Sequence, residues 1–152
     1  MRYLIGIGNY YGRDDSIGLR VAEHIGEAGL DEDEGFRAID LGGNLLDLVH
    51  YLDAETEAVL IVDAAKMGLE GGAHAFFAPD QVATRRSHAG LSTHEADLIK
   101  VLEFARALGK PLPPITILGI EPVELADEPG LSSVLEARFE EYVAEAVGFF
   151  GR

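Results

Sequence analysis

Apolar residues occur along the chain either in short continuous runs or at helical spacing. The continuous runs lie at Tyr3 to Gly8, Ala58 to Val62 and Ile115 to Gly119. Short runs of this kind are typical of strands buried on both faces of a parallel sheet. We interpret Phe36 to Ile39 as a second strand and His74 to Phe77 as a short fourth strand at an edge of the sheet.

Between these runs the apolar residues follow the period of an amphipathic helix. Ile17, Val21 and Ile25 lie four residues apart and predict a first helix with one apolar face. The same spacing predicts helices over Leu45 to Leu52, after residue 92, and over the C-terminal segment 133–150. At the start of the helix predicted after residue 92, the segment Ser-Thr-His-Glu at 92–95 matches a capping box. Alternating strands and helices predict one α/β domain over residues 1–152, a three-layer sandwich with helices on both faces of a mostly parallel sheet of about five strands.

Composition restricts the chemistry that this domain can perform. The chain has 152 residues, a formal net charge of -15 and no cysteine. The lack of cysteine excludes disulfides and thiolate sites and leaves carboxylates and imidazoles as the strong ligands. The negative charge argues against a nucleic-acid partner, and we interpret the acidic run from Asp31 to Glu34 as a solvated turn. No apolar run approaches the roughly 20 residues that span a membrane, and Met1-Arg2 leads directly into the first strand, so we expect a cytoplasmic protein.

Acidic residues and a histidine follow the ends of the predicted strands. Asp14-Asp15 comes after the first strand, Asp40-Leu41-Gly42-Gly43 after the second, Asp63 after the third and Glu121 after the last. His94 lies in the first turn of the helix after the fourth strand. Since ligands of open parallel sheets bind at the carboxyl ends of the strands, we expect these residues to meet at one rim.

Asp15, Asp63 and His94 together would offer two oxygen ligands and one nitrogen ligand. This set suits a divalent ion such as nickel or zinc with an open coordination position. Each residue also has a structural interpretation. Asp14 or Asp15 would serve as a helix N-cap, and His94 as a satisfied histidine at a helix start. Asp63 follows an all-apolar strand directly, and a buried carboxylate must be paired or ligated.

Several familiar sites are absent from the sequence. His94-Glu95-Ala96-Asp97-Leu98 breaks the HExxH pattern at its last position, and no Gly-x-Ser-x-Gly or Walker loop occurs. Gly6-Ile7-Gly8 with Gly12 is one residue too long for a dinucleotide-binding GxGxxG, although Asp40 stands where a ribose-binding acid is found. Against that alternative, Asp14-Asp15 would repel a pyrophosphate.

The motifs resemble those of the endopeptidases that mature nickel-iron hydrogenases. The matching segments cover nearly the whole chain in the family's order: Gly6-Ile7-Gly8-Asn9 with Asp14-Asp15-Ser16-Ile17-Gly18, then Asp40-Leu41-Gly42-Gly43, Asp63-Ala64, Ser92-Thr93-His94 and Gly119-Ile120-Glu121-Pro122. The opening GxGN…DDxxG element is the most specific of them.

Two positions depart from the family pattern. Arg13 replaces a small or neutral residue, which would place a cation at the site or its substrate, and Glu121 replaces a glutamine. That carboxylate would act as a fourth ligand or raise the pKa of a neighbouring acid.

The resemblance implies a function and a set of site residues. Asp15, Asp63 and His94 would be the metal-contacting, catalytic residues, with Asp40, Gly42, Gly43 and Glu121 contacting substrate. The substrate would be a hydrogenase large-subunit precursor, cut near its C-terminus after nickel insertion. The nickel would be carried by the precursor, with zinc or cadmium able to substitute. The oligomeric state stays open, with a monomer favoured, and we expect no membrane attachment. A non-catalytic metal-binding or precursor-docking module is the alternative.

Overall fold

Five strands form one sheet in the computed structural model, which describes residues 1–80 and 93–151, with only the backbone at 93–96. The strands are β1 (Arg2–Gly6), β2 (Arg37–Asp40), β3 (Ala58–Ala64), β4 (His74–Phe77) and β5 (Ile115–Ile120). Their order is β2-β1-β3-β5-β4. All neighbours are parallel except β4, which runs antiparallel to β5 at one edge. The predicted strands and the edge position of the fourth are therefore confirmed.

Helices cover both faces of this sheet. The α-helices are α1 (Ile17–Glu27), α2 (Leu30–Glu34), α3 (Thr93–Ala107), α4 (Ser133–Ala137) and α5 (Phe139–Phe150), and there are 3-10 helices at Arg13–Ser16 and Leu45–Tyr51. On one face, residues of α1 and α5 pack on Leu4, Leu60 and Leu118 of the central strands. On the other, α3 and the second 3-10 helix pack on residues such as Ile5 and Ile61. These two cores confirm the predicted three-layer sandwich.

Three predicted elements differ in detail. The segment at 45–52 is a 3-10 helix rather than an α-helix, and its three-residue turn brings Leu45, Leu48 and Tyr51 onto the same core. The C-terminal helix is broken at Arg138, whose φ of -103° and ψ of 7° lie outside the helical region. The acidic run forms the short helix α2 instead of a turn, and left-handed glycines at positions 29 and 35 bound this helix at its two ends.

The first helix approaches the sheet unusually closely. A Cβ atom on Gly18 of α1 would lie 2.1 Å from the Val62 carbonyl oxygen and 2.6 Å from that of Ile7. A Cβ on Gly6 would in turn lie 2.2 Å from the Gly18 oxygen. Two glycines of the opening motif thus allow α1 to begin directly above the ends of β1 and β3.

Candidate functional site at the carboxyl ends of β1 and β3

The strand order makes β1 and β3 the two strands at which the direction of the connections reverses. The chain passes from β1 to β2 on one side and then returns to add β3 on the other side of β1. A reversal of this kind is a topological switch point, where the loops leave the two central strands in opposite directions and open a cleft. The candidate residues that follow β1 and β3 therefore belong to the part of the sheet where open α/β proteins bind ligands.

Asp15 lies in the 3-10 helix Arg13–Ser16, which contacts β3. The loop before it is compact: a Cβ on Gly8, where φ is +139°, would lie 2.1 Å from the Asp15 carbonyl oxygen. A Cβ on Gly12 would lie 2.9 Å from that of Asp15. Gly8 and Gly12 thus allow the loop to fold against a half-buried Asp15 at the end of β3.

Asp63 lies within β3, and only 2% of its surface is exposed. Val59 and Ile61 belong to the core beneath α3, and side chains alternate along a strand. Asp63 therefore falls on the sheet face that α3 covers. Its strand partner is Gly119, where an added Cβ would lie 2.7 Å from the Phe77 ring.

His94 falls in the first turn of α3, which begins at Thr93, as the sequence predicted. Its side chain lies outside the described residues, as does Ser92 of the predicted capping box. Among the side chains that the structure describes, no three His, Asp or Glu residues are placed to hold a metal ion. The Asp15, Asp63 and His94 set, including its metal contacts, thus stays a prediction.

Asp14 has a different role from the N-cap that the sequence suggested. It is fully buried, and both of its carboxylate oxygens accept hydrogen bonds from the chain after β5. Oδ2 accepts from the amides of Val123 and Glu124 and from the Ser132 hydroxyl, each at 2.8 Å, and Oδ1 accepts from the Ser132 amide at 2.7 Å. The N-cap positions are occupied by Gly12 and Ser16 instead. The Asp14 carboxylate therefore fastens the loop after β1 to the loop after β5.

Glu121 fastens another pair of loops. It is 7% exposed, and its Oε1 accepts hydrogen bonds from the amides of Met67 and Leu69 at 2.7 and 2.9 Å. This oxygen holds the loop after β3 against the end of β5. A glutamine, the residue of the family pattern, has an oxygen that would accept the same two bonds. A contact between Glu121 and substrate or metal stays a prediction.

Arg13 is directed toward the chain after β5. Its Nε donates to Glu124 at 3.0 Å and its Nη1 to the Pro129 carbonyl at 3.2 Å. The hydrogen bond to Glu124 raises the pKa of the guanidinium above its usual value. Arg13 also has a φ of +56°, the one positive φ of a non-glycine residue in the described ranges 1–80 and 93–151. This cation thus joins Asp14 in fixing the 124–130 segment, a role that its sequence position did not reveal.

The loop after β2 leaves its backbone open. Asp40 ends β2 beside Gly6, and its Oδ1 accepts a hydrogen bond from the Gly42 amide at 3.0 Å. Gly42 has a φ of +67°, which favours glycine. A Cβ on Gly42 or Gly43 would meet no heavy atom within 4 Å. The described surroundings therefore leave room beside this backbone for another chain.

A family model described as HycI, hydrogenase maturation protease, matches residues 19–148. The chain belongs to the hydrogenase maturation protease family. Curated relatives extend the same result to nearly the full length. The chain is 29% identical over 145 residues to the hydrogenase expression/formation protein HupD of Rhodobacter capsulatus, a match covering 95% of this chain and 68% of the relative. It is 27% identical over 149 residues to HoxM of Cupriavidus necator, covering 97% and 73%.

Solved structures of maturation endopeptidases have the same fold. The hydrogenase maturating endopeptidase HybD from Escherichia coli aligns with a TM-score of 0.80 at 21% identity, over 99% of this chain and 91% of that one. The [NiFe] hydrogenase maturation protease HybD from Thermococcus kodakarensis aligns with a TM-score of 0.76 at 21% identity, over 97% of both. At these identities the likeness establishes the maturation-protease fold of this chain. Across the described residues, no helix has both the length and the apolar character needed to span a bilayer.

Proposed function

We propose that this protein is the endopeptidase that removes the C-terminal extension of a [NiFe]-hydrogenase large-subunit precursor after nickel insertion. The observation that carries this proposal is the position of Asp15 and Asp63 at the β1/β3 switch point in a member of the hydrogenase maturation protease family. This is the position where a substrate group enters an open α/β sheet. The family membership favours peptide hydrolysis over the dinucleotide chemistry that the glycine-rich start of the chain also suggested.

In this proposal, Asp15, Asp63 and His94 recognise the nickel that the precursor carries. Two carboxylates and an imidazole form a ligand set that nickel accepts, and zinc or cadmium would substitute in binding tests. The position of His94 at a helix start supports this role, because the helix dipole there disfavours imidazolium and favours the neutral, metal-binding ring.

Hydrolysis also needs a base that activates water and a group that stabilises the oxyanion. The nearly buried Asp63 is our candidate for a carboxylate that acts close to the scissile bond. Nickel would contribute either as a Lewis acid on the carbonyl or only as the signal that the precursor is loaded. The open loop at Gly42 and Gly43 would lie along the peptide, since its backbone has room for a neighbouring chain.

The proposal is tested by mixing the protein with nickel-loaded and nickel-free precursor and measuring the intact mass of the products. We expect loss of a C-terminal peptide from the loaded precursor alone. His94→Ala should abolish this cleavage, whereas His50→Ala, on an exposed histidine of the second 3-10 helix, should not change it. Asp63→Asn should likewise abolish the cleavage, whereas Asp33→Asn, on an exposed aspartate, should not change it.

Two results would contradict the proposal. Cleavage by His94→Ala at the wild-type rate would remove His94 from the site. Tight binding of the loaded precursor without cleavage by the wild-type protein would favour the metal-binding or docking module.

The substrate loop is tested separately by Gly43→Val. No heavy atom of the described residues lies within 4 Å of a Cβ added at Gly43, so the free energy of unfolding should change by less than about 1 kcal/mol. Cleavage should nevertheless fall strongly, because the side chain would occupy the space proposed for the peptide. Unchanged cleavage would show that the peptide lies elsewhere.

A further inference from the structure

A groove opens between the loops that follow β3 and β5. It has a volume of about 480 Å³ and is lined by Lys66, Gly68, Glu121, Pro122, Val123 and Leu125. We call this set the Lys66 groove. It begins three residues after Asp63 in the chain, so it adjoins the strand end that carries the candidate site.

The walls of the Lys66 groove are held in place by the two buried carboxylates described above. The Glu121 side chain binds the amides of Met67 and Leu69 on one wall. Asp14 binds the amides of Val123 and Glu124 on the other. A groove whose walls are fixed before binding loses less conformational entropy when a ligand enters.

The Lys66 groove has two charged residues, the exposed Lys66 and Glu121, which is 7% exposed and whose Oε1 is bound by two backbone amides. Val123 and Leu125 are 47% and 48% exposed, so their side chains are accessible to a ligand in the groove. Lys66 is exposed and forms no ion pair with any residue in the described part of the chain, whereas the arginines at 13 and 138 are paired with glutamates. A cation without an ion pair to the described residues, beside apolar side chains, suits a peptide that carries a carboxylate next to an apolar residue.

We propose that the Lys66 groove binds the C-terminal extension of the hydrogenase precursor. Lys66 pairs with a carboxylate of that peptide, and Val123 and Leu125 pack against one of its apolar side chains. This inference rests on the proposed function, which places the scissile bond near Asp63. An extended peptide advances about 3.3 Å per residue, so a few residues beyond the scissile bond reach the groove. The carboxylate is either an acidic side chain or the C-terminus of the precursor.

The test combines cleavage of the loaded precursor with binding of a synthetic peptide that has the sequence of its extension. Lys66→Glu and Leu125→Ser should each raise KM about tenfold and leave kcat unchanged, because they weaken binding alone. Lys66→Arg should restore most of the affinity. The matched controls are Lys100→Glu and Leu108→Ser, whose side chains are exposed on and just after α3. They should behave as the wild type.

The peptide separates the two sources of the carboxylate. If amidation of its C-terminus weakens binding to the wild type as much as Lys66→Glu does, the carboxylate is the C-terminus. If replacing its acidic residues by amides does so, the carboxylate is a side chain.

The outcomes separate this inference from the proposed function. Wild-type cleavage with unchanged KM in Lys66→Glu and Leu125→Ser would overturn the groove and leave the function standing. Peptide binding that Lys66→Glu removes, without cleavage by any variant, would support the groove and overturn the function. Neither cleavage nor peptide binding by the wild-type protein would overturn both.

Discussion

The clearest consequence of the structure concerns Asp14, which the substitution Asp14→Asn would neutralise without changing its size. The carboxylate accepts four hydrogen bonds, three of them at Oδ2 and one, from the Ser132 amide, at Oδ1. All four partners are donors. The asparagine amide has one accepting oxygen, so its nitrogen must face at least one buried N–H group.

The expected cost follows from these contacts. If the amide oxygen takes the position of Oδ2, the bond to Ser132 N is lost and two donors face each other, which costs about 1–3 kcal/mol. The three remaining bonds lose the strengthening that a charged acceptor gives, about 1 kcal/mol each. The neutral side chain is less costly to bury, which offsets part of this sum. We therefore expect a loss of about 3 kcal/mol in the free energy of unfolding.

The assay is urea denaturation followed by circular dichroism. The midpoint should fall with an unchanged m-value, and a loss of this size corresponds to a decrease in Tm of about 6–12 °C for a domain of this length. Asp33→Asn is the control, because Asp33 is exposed on α2 and should change the free energy of unfolding by less than about 0.5 kcal/mol. A loss below about 1 kcal/mol for Asp14→Asn would refute the inference that Asp14 holds the two loops together.

Three further predictions concern stability. Gly18→Ala should destabilise the protein by more than about 2 kcal/mol, since its Cβ would lie 2.1 Å from the Val62 oxygen. The control is Gly26→Ala in the same helix, whose Cβ meets no atom closer than 4.0 Å. In thermal melts this control should be neutral or stabilising. Glu121→Gln should keep the free energy of unfolding within about 1 kcal/mol and Glu121→Leu should not, as urea titration would show. Burial raises the pKa of Tyr142 to about 12. The native state therefore keeps a proton that the unfolded state loses above about pH 10. The free energy of unfolding should fall between about pH 10 and pH 12. Tyr142→Phe should remove that pH dependence in alkaline denaturation, and an unchanged slope would contradict the assignment.

The strands of the sheet were predictable because a short run of neighbouring residues in the sequence indicates each of them. The run at 58–62 is apolar and the run at 115–119 is largely so, and the structure places them in adjacent central strands. The short run at 74–77 forms the antiparallel edge strand β4. The strand ends also located the candidate rim, since parallel strands bring their carboxyl ends to one side of the sheet.

The features that the sequence missed depend on contacts between distant residues or on local helix geometry. Asp14 and Ser132 are 118 residues apart, and no local pattern reports their hydrogen bonds. The contacts of Arg13 with Glu124 and Pro129 join residues 111 and 116 positions apart, so no local pattern reports them either. The 3-10 helix at 45–51 was taken for an α-helix because spacings of three residues fit both periods.

The adjacent acids at positions 14 and 15 differ in role, since one stabilises the fold and the other is a candidate site residue. They lie in a 3-10 helix, which has about three residues per turn, so neighbouring side chains point roughly 120° apart. One acid, Asp14, is thereby buried against the chain after β5, and the other, Asp15, lies half-buried beside the end of β3. Glu121 is likewise engaged by backbone amides through Oε1. Two of the rim acids therefore fix the loops that follow β1, β3 and β5, and the metal recognition that we propose falls to Asp15 and Asp63 together with His94.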